Sequence, residues 1–195
     1  AGQVELLISY CTEQLRRGDA RAAVRLALEA VEYAIQHSAT EIIGRFRLLL
    51  LLAASSAGYP REGIAVISKA GGSEWSEGPV NDNNYLSRGL YGFMLGWLGQ
   101  LDAATAHMQA ALDHAEKLGA SASWMYANQV EIALISGGHA GILARAQTAL
   151  QRAESFGSPY FRAIALRALG LAHVLEGDAH TAVALLEEAR ELVAA

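Results

Sequence analysis

The 195-residue sequence has little of what secreted or membrane proteins need. It contains one cysteine, Cys11, so no internal disulfide can form, as is typical of a reducing compartment. No base adjoins Cys11, so we expect a packed helix residue rather than a catalytic thiol. The longest apolar run, Leu48 to Ala54, is far shorter than the about 20 residues of a membrane span, and no secretory signal is present. The sequence therefore predicts a cytoplasmic protein without membrane contact.

Charge is also scarce. Charged residues make up 18% of the chain, below the roughly one quarter that is usual for soluble domains. The formal net charge is −5, and no basic stripe is present. Because phosphate binding needs clustered lysine and arginine, direct contact with nucleic acid is excluded as a function of this region.

Alanine and leucine dominate what remains, since aromatic residues are only 7% of the chain and there are three prolines. Alanine and leucine have high helix propensities, and few β-branched runs compete with them. The composition therefore predicts an all-α fold.

Glycine falls at nearly even intervals, each time between two helical stretches. The members of this series are Gly18, Gly58, Gly99, Gly138 and Gly177. The differences between their numbers are 40, 41, 39 and 39. A fixed period in this range indicates an array of helical repeats, each glycine marking the turn of a helix hairpin.

Start and stop signals divide the chain into five hairpin units with approximate bounds 1–38, 39–70, 82–119, 120–157 and 158–195. Together they form one repeat domain, which we expect to be part of a longer protein because helical register is established by Val4. The segment Gly71 to Asn84, with the loop 71–81, is longer than the other connections. It is either a functional or mobile loop or a tolerated insertion. Trp75 within it either pins the loop or stays exposed for a partner.

Small residues recur at matching offsets after the turn glycines. The second helices carry Ala23, Gly63, Ala104 and Ala182, and seven residues later Ala30, Ala70, Ala111 and Ala189. In two first helices, Gly92 and Gly170 serve the same purpose, because small residues let helices approach closely. The run Gly137 to Gly141 leaves the register of the fourth unit open by one residue.

Two units carry one pattern most clearly. The fifth has Leu166, Leu169-Gly170, His173, Gly177-Asp178, Ala182, Leu186 and Ala189. The third has Tyr91-Gly92, Leu95, Gly99, Ala104, Met108 and Ala111. This pattern resembles the tetratricopeptide repeat (TPR), although the units are longer than the standard about 34 residues. Their length is similar to that of the MalT-like TPR regions of LuxR-family transcriptional regulators and related bacterial signalling proteins.

The resemblance implies a right-handed α-solenoid of about five TPR-like hairpins, with a concave groove lined by the first helix of each. It implies a non-enzymatic scaffold that binds a protein, a peptide or a small-molecule inducer. In the resembling subgroup such an array is the sensor or docking region of a transcriptional regulator or signalling protein. The alternative is a purely structural or homo-oligomerising scaffold without a small ligand, and a third hypothesis is an enzyme with a site between hairpins.

Projecting the family's groove positions gives the candidate ligand- or partner-binding residues Leu86, Phe93, Trp97, Met125, Asn128, Ile132, Arg167 and Leu171. The same projection adds Leu48, Leu52, Ser55, Gly89 and Val174. A mostly apolar concave surface with isolated polar groups suits a small ligand or an amphipathic helix. The alternative is that the apolar members pack against neighbouring helices. Arg167 either meets an anionic group or pairs with a neighbouring glutamate.

No motif predicts catalysis, a cofactor or a metal. Phosphate-binding, nucleophile-elbow and zinc-protease patterns are absent. His107 and His114 lie seven residues apart, but no cysteine or carboxylate completes a ligand set with them. The run Leu48 to Leu52 is apolar all round its helix, which indicates either burial on two sides or a homodimer contact.

Overall fold

The computed structural model describes residues 2–37, 40–65, 67–68, 78–120, 122–138 and 140–194. Most of the predicted loop 71–81, with Trp75, lies outside these ranges, as does Ala70. The helices are α1 (Gly2–Arg16), α2 (Ala20–Gln36), α3 (Thr40–Ala57), α4 (60–65 and 67–68), α5 (Tyr85–Trp97), α6 (Leu101–Lys117), α7 (Ser123–Ser136), α8 (Ile142–Phe156), α9 (Pro159–Leu175) and α10 (Ala179–Ala194). The described ranges contain no strand.

Consecutive helices pair into hairpins that stack into a solenoid. Packing joins α1 to α2, α5 to α6, α7 to α8 and α9 to α10 within hairpins. Each odd-numbered helix from α1 to α7 also packs on the next odd-numbered helix. The predicted all-α solenoid is confirmed. The odd-numbered helices α1 to α9 therefore lie side by side along the array.

The turn of the fourth hairpin corrects the predicted glycine series. Gly137, not Gly138, has the left-handed backbone, with φ +70°, and forms the C-cap of α7. Either of two adjacent glycines can adopt this conformation, so the sequence alone could not choose between them. As a result, positions in α7 count back from Gly137, one residue earlier than the prediction assumed.

The second helix of the same hairpin has its own reference point. Gly141 has φ +72° and is the N-cap of α8, so the turn spans several residues rather than one glycine. Counted from Gly141, Ala146 and Ala153 lie at the offsets that Ala104 and Ala111 have from Gly99. All four alanines are fully buried. The small-residue series therefore continues through the fourth unit.

Glycine permits the predicted close approach of paired helices. A Cβ atom placed on Gly170 would lie 2.9 Å from Cγ of Leu186 and 3.2 Å from the carbonyl oxygen of Ala182. Both contacts are closer than ordinary packing allows, so α9 and α10 approach at a point where α9 has no side chain. Gly92 plays the same part between α5 and α6.

The leucine run in α3 packs within the chain. Leu50 and Leu51 are fully buried in the core cluster that α1, α2, α3 and α5 share, and Leu48 and Leu49 pack against that cluster. Leu52 is partly exposed on the remaining side. Burial on two sides therefore accounts for the run. Cys11, fully buried in the same cluster, is the packed helix residue that was predicted.

Candidate binding groove

A groove of about 560 Å³ crosses four odd-numbered helices, α3, α5, α7 and α9. Its volume lies within the range of small-molecule and peptide sites. Most of its described lining is aliphatic or aromatic. The lining residues are Leu48, Leu52, Ser55, Leu86, Leu90, Phe93, Trp97, Trp124, Asn128, Glu131, Tyr160, Phe161, Ile164 and Arg167.

The α5 part of the lining follows helical spacing. Leu86, Leu90, Phe93 and Trp97 are separated by four, three and four residues, which places them on one face of the helix. The rings of Phe93 and Trp97 lie 5.1 Å apart between centroids. Trp97 is 36% exposed, so its ring contributes accessible aromatic surface near the end of the helix.

The α7 part contributes Trp124, Asn128 and Glu131. Trp124 packs over a glycine, since a Cβ atom on Gly89 would lie 3.0 Å from its Cη2 atom. Trp124 and Glu131 were missing from the predicted site. Counting back from Gly137 would have found both, because they then match Leu86 and Phe93 of the third unit.

Asn128 is a buried polar group on the groove. It is 7% exposed, and its side-chain amide has no hydrogen-bond partner among the described residues. An amide side chain offers two donor hydrogens and one acceptor oxygen. The Asn128 amide atoms are not among the described side-chain atoms that are both sealed from solvent and without a partner, so the amide reaches solvent in the groove and can bond to a ligand there.

Arg167 on α9 forms an ion pair with Glu131 on α7. The pairing with a neighbouring glutamate, one of the two alternatives drawn from the sequence, is therefore what the structure contains. The Glu131 side chain is 11% exposed and that of Arg167 is 48% exposed. Burial lowers the pKa of Arg167 from its ordinary value, but arginine remains charged in proteins at neutral pH.

The structure gathers most of the predicted residues in this groove. Leu86, Phe93, Trp97, Asn128 and Arg167 are brought together there, and so are the three positions predicted in α3, which are Leu48, Leu52 and Ser55.

Five of the predicted residues lie outside the groove lining. Gly89 lies beneath the ring of Trp124, and Val174 is exposed elsewhere on α9. Met125 is fully buried, and Ile132 packs against α5, where a Cβ atom on Gly96 would lie 2.6 Å from its Cγ1 atom. Leu171 is half-buried and outside the groove lining. The one-residue register of α7 accounts for Met125 and Ile132, because the adjacent residues Trp124 and Glu131 face the groove instead.

The structure also shows the surroundings of the histidines that were considered as metal ligands. Ring nitrogens of His37, His114 and His173 contact nearby groups, as in the 2.7 Å contact of His114 Nε2 with Asp82 Oδ1. His107 packs edge-on against Tyr91. Within the described part of the chain, histidine, cysteine and carboxylate side chains form no group of three that could hold a metal ion. No described helix is long and apolar enough to cross a membrane.

Solved structures with the same arrangement of helices are TPR-like repeat proteins. A kinesin-light-chain-type protein of Podosopora anserina with nearly identical TPR-like repeats superposes with a TM-score of 0.66 at 14% identity, covering 98% of this chain and 95% of that one. BtubC (BKLC) from P. vanneervenii gives 0.66 at 18% identity, covering 98% and 80%. This chain has a TPR-like fold. No protein-family model and no curated protein matches the sequence.

The TPR-like fold explains why the groove lies where it does. In a repeat solenoid each hairpin contacts its neighbours, and the small rotation between repeats gives an extended concave surface. Here the first helix of four successive hairpins supplies that surface. TPR-like folds are typical of protein-interaction modules.

Proposed function

We propose that this TPR-like array is a non-enzymatic scaffold that binds an apolar protein segment in its groove. The observation that carries the proposal is a continuous apolar stripe from four successive first helices with the unpartnered amide of Asn128 inside it. Tryptophan and tyrosine side chains, which this groove contains, are enriched among the residues that supply most of the affinity at protein interfaces.

The length of the groove favours a polypeptide. Neighbouring helices pack about 8–10 Å apart, so a groove across four of them extends roughly 25 Å. An extended chain rises about 3.3 Å per residue, so about eight residues cover that distance. The Asn128 amide can donate to a main-chain carbonyl and accept from a main-chain N–H of the same segment.

A pair of matched leucine variants tests the groove. Random peptides of about 12 residues, long enough to cover the groove, are selected from a display library on the wild-type protein. Selected peptides are then titrated into Leu52→Ala, which shortens a groove residue, and into Leu118→Ala, which shortens an exposed leucine at the end of α6 outside the groove. Affinity is read from calorimetry, or from the emission of Trp97 and Trp124 in a Trp75→Phe background.

We expect Leu52→Ala to weaken binding at least about fivefold, because an apolar contact is lost. Leu118→Ala should stay within about twofold of wild type. Equal losses in both variants, or selected peptides that leave the emission of Trp97 and Trp124 unchanged and bind elsewhere, would refute the groove as the binding site. If a small molecule raises the melting temperature of the protein and its binding is weakened by Leu52→Ala, the groove would be assigned to an inducer instead.

The finer proposal is that the array is the sensor or docking region of a bacterial transcriptional regulator or signalling protein. Its support is the unit length of about 40 residues and the resemblance of the third and fifth units. Sequencing the surrounding gene tests it, since an adjoining ATPase, cyclase or DNA-binding domain is expected and an unrelated neighbour would contradict it.

Self-association is a second candidate, favoured by one apolar patch. A shallow hollow on α9 and α10 carries Tyr160, Ile164, Leu186 and Val193, of which Val193 is 72% exposed and Tyr160 and Ile164 also line the groove. Such a patch can pack against a second copy. Light scattering over a concentration series tests it, with Val193→Asp expected to restore the monomer mass if this patch associates.

A further inference from the structure

The groove contains two opposite charges that cancel. Among the described lining residues, Glu131 and Arg167 are the charged side chains, and they pair with each other. Glu131 lies one helical turn after Asn128 on α7, so the pair adjoins the unpartnered amide. A ligand at Asn128 therefore meets a neutral pair rather than a free cation.

The unequal burial of the two groups makes the pair hard to separate. The Glu131 side chain is 11% exposed, whereas that of Arg167 is 48% exposed. A carboxylate with so little access to water depends on its counter-ion, because removing one partner of a buried pair leaves an uncompensated charge. Arg167 therefore stays paired with Glu131. Its remaining N–H groups can still donate to neutral acceptors such as carbonyl oxygens.

We propose that Glu131 makes the groove selective for uncharged segments, by holding Arg167 and repelling ligands that carry a carboxylate or phosphate at this point. The inference rests on the proposed function, because it names the class of segment that the groove binds. The preferred occupant is an internal apolar stretch of a protein with a main-chain amide at Asn128, not an acidic segment or a free C-terminus.

The electrostatic reason is the same for either sign of ligand charge. An anion that approaches Arg167 also approaches Glu131, and like charges at such short distances repel each other. A cation that approaches Glu131 meets Arg167 in the same way. A neutral amide avoids both penalties and satisfies Asn128, which neither a pure donor nor a pure acceptor can do.

Fluorescence quenching measures the charge of the groove without any ligand. In a Trp75→Phe background the emission comes from Trp97 and Trp124, which both line the groove. Iodide is the anionic probe, and acrylamide, a neutral amide, reports accessibility. Glu131→Gln is compared with Glu188→Gln, which removes the same charge from the Arg162–Glu188 pair outside the groove.

We expect Glu131→Gln to raise the iodide quenching constant about twofold, while Glu188→Gln leaves it unchanged and acrylamide quenching stays constant in both. An equal rise in the two variants, or no rise in Glu131→Gln, would overturn the proposal. Circular dichroism melting of each variant confirms that folded proteins are compared.

Peptide titration tests the ligand class directly. A C-terminally amidated peptide selected on the wild-type protein is made in matched series with Asn or Asp at each position in turn, so that only charge differs. At the position facing Arg167, the Asp peptide should bind at least about tenfold more weakly than the Asn peptide. The difference should fall below about threefold in Glu131→Gln but persist in Glu188→Gln.

Tight binding of the Asp peptide to the wild-type protein would overturn the selectivity while leaving the groove as a binding site. If no selected peptide is sensitive to Leu52→Ala, the proposed function fails, and the iodide comparison still decides whether Glu131 sets the charge of the groove. The two failures are therefore distinguishable.

Discussion

Gly92 and Ala104 face each other across α5 and α6 without room for a side chain on Gly92. A Cβ atom at Gly92 would lie 2.9 Å from the carbonyl oxygen of Ala104 and 2.8 Å from Cγ of Met108. The methionine side chain can move, but the backbone carbonyl can move only if α6 shifts. The third hairpin, which carries much of the groove, therefore depends on this contact.

We expect Gly92→Ala to lower the free energy of unfolding by about 1–3 kcal/mol, because overpacking outweighs the roughly 1 kcal/mol that alanine gains over glycine in a helix. Urea unfolding followed by circular dichroism measures this change. A stabilised Gly92→Ala protein would show that the two helices can separate without cost.

The turn of the fourth hairpin gives a test between adjacent glycines. Gly137→Ala should cost about 1–2 kcal/mol, because its φ of +70° is unfavourable for a residue with a Cβ atom. Gly138 lies outside the left-handed region, and the nearest atom to a Cβ there is Ser136 Oγ at 3.4 Å. Gly138→Ala should therefore change stability by no more than about 0.5 kcal/mol. If urea unfolding showed that Gly138→Ala destabilises the protein more than Gly137→Ala does, the turn would be assigned to Gly138 instead.

Removing Arg167 should destabilise the protein even without a ligand. Arg167→Ala leaves the little-exposed carboxylate of Glu131 without its partner, and we expect a loss of about 1–2 kcal/mol at neutral pH, since Arg167 itself is half-exposed. The double variant Arg167→Ala with Glu131→Gln should recover most of this loss. A double-mutant cycle measured by thermal or urea unfolding gives the coupling. Additive losses would mean that the pair contributes nothing.

Tyr126 should resist ionisation. Its hydroxyl donates a 2.6 Å hydrogen bond to Glu116 Oε1. Burial and this carboxylate raise the pKa of Tyr126 to about 12. The ordinary tyrosine value is about 10, so the folded state holds this proton more tightly than the unfolded state does. The stability that this bond contributes is present below pH of about 10 and is lost as the pH rises toward 12.

Absorbance at alkaline pH measures the Tyr126 transition. Glu116→Gln should lower the pKa of Tyr126, because the negative charge that opposes ionisation is removed. Glu187→Gln, a change at an exposed site on α10, is the control and should leave the titration unaltered. An unshifted pKa in Glu116→Gln would mean that burial alone holds the proton.

The fold could be predicted because its determinants repeat. Turn glycines and small residues such as Ala104 and Ala182 recur with nearly one period, so an error at one unit does not alter the architecture. The site depends on single-residue register. The choice between Gly137 and Gly138 decides whether Trp124 or Met125 faces the groove, and two adjacent glycines carry no local signal that separates them.

The ion pair in the groove illustrates a second limit of the sequence. Arg167 and Glu131 are 36 residues apart and lie on different helices. Helical periodicity identifies faces within each helix, but the contact between α7 and α9 depends on how closely the two hairpins stack. Asn128 was predicted by counting back from Gly138, where it matches Gly89, and counted from Gly137 it matches Leu90, which lines the groove. Glu131 matches a predicted groove position only when the count starts at Gly137.

No single hairpin forms the groove by itself, since α3, α5, α7 and α9 each contribute part of its lining. In a solenoid the hairpins can open locally and at different free energies. A segment lying across all four helices would bind only while every hairpin is closed. Binding of that segment would therefore suppress the opening of each hairpin. Binding of a segment in the groove would thereby make the whole array more rigid.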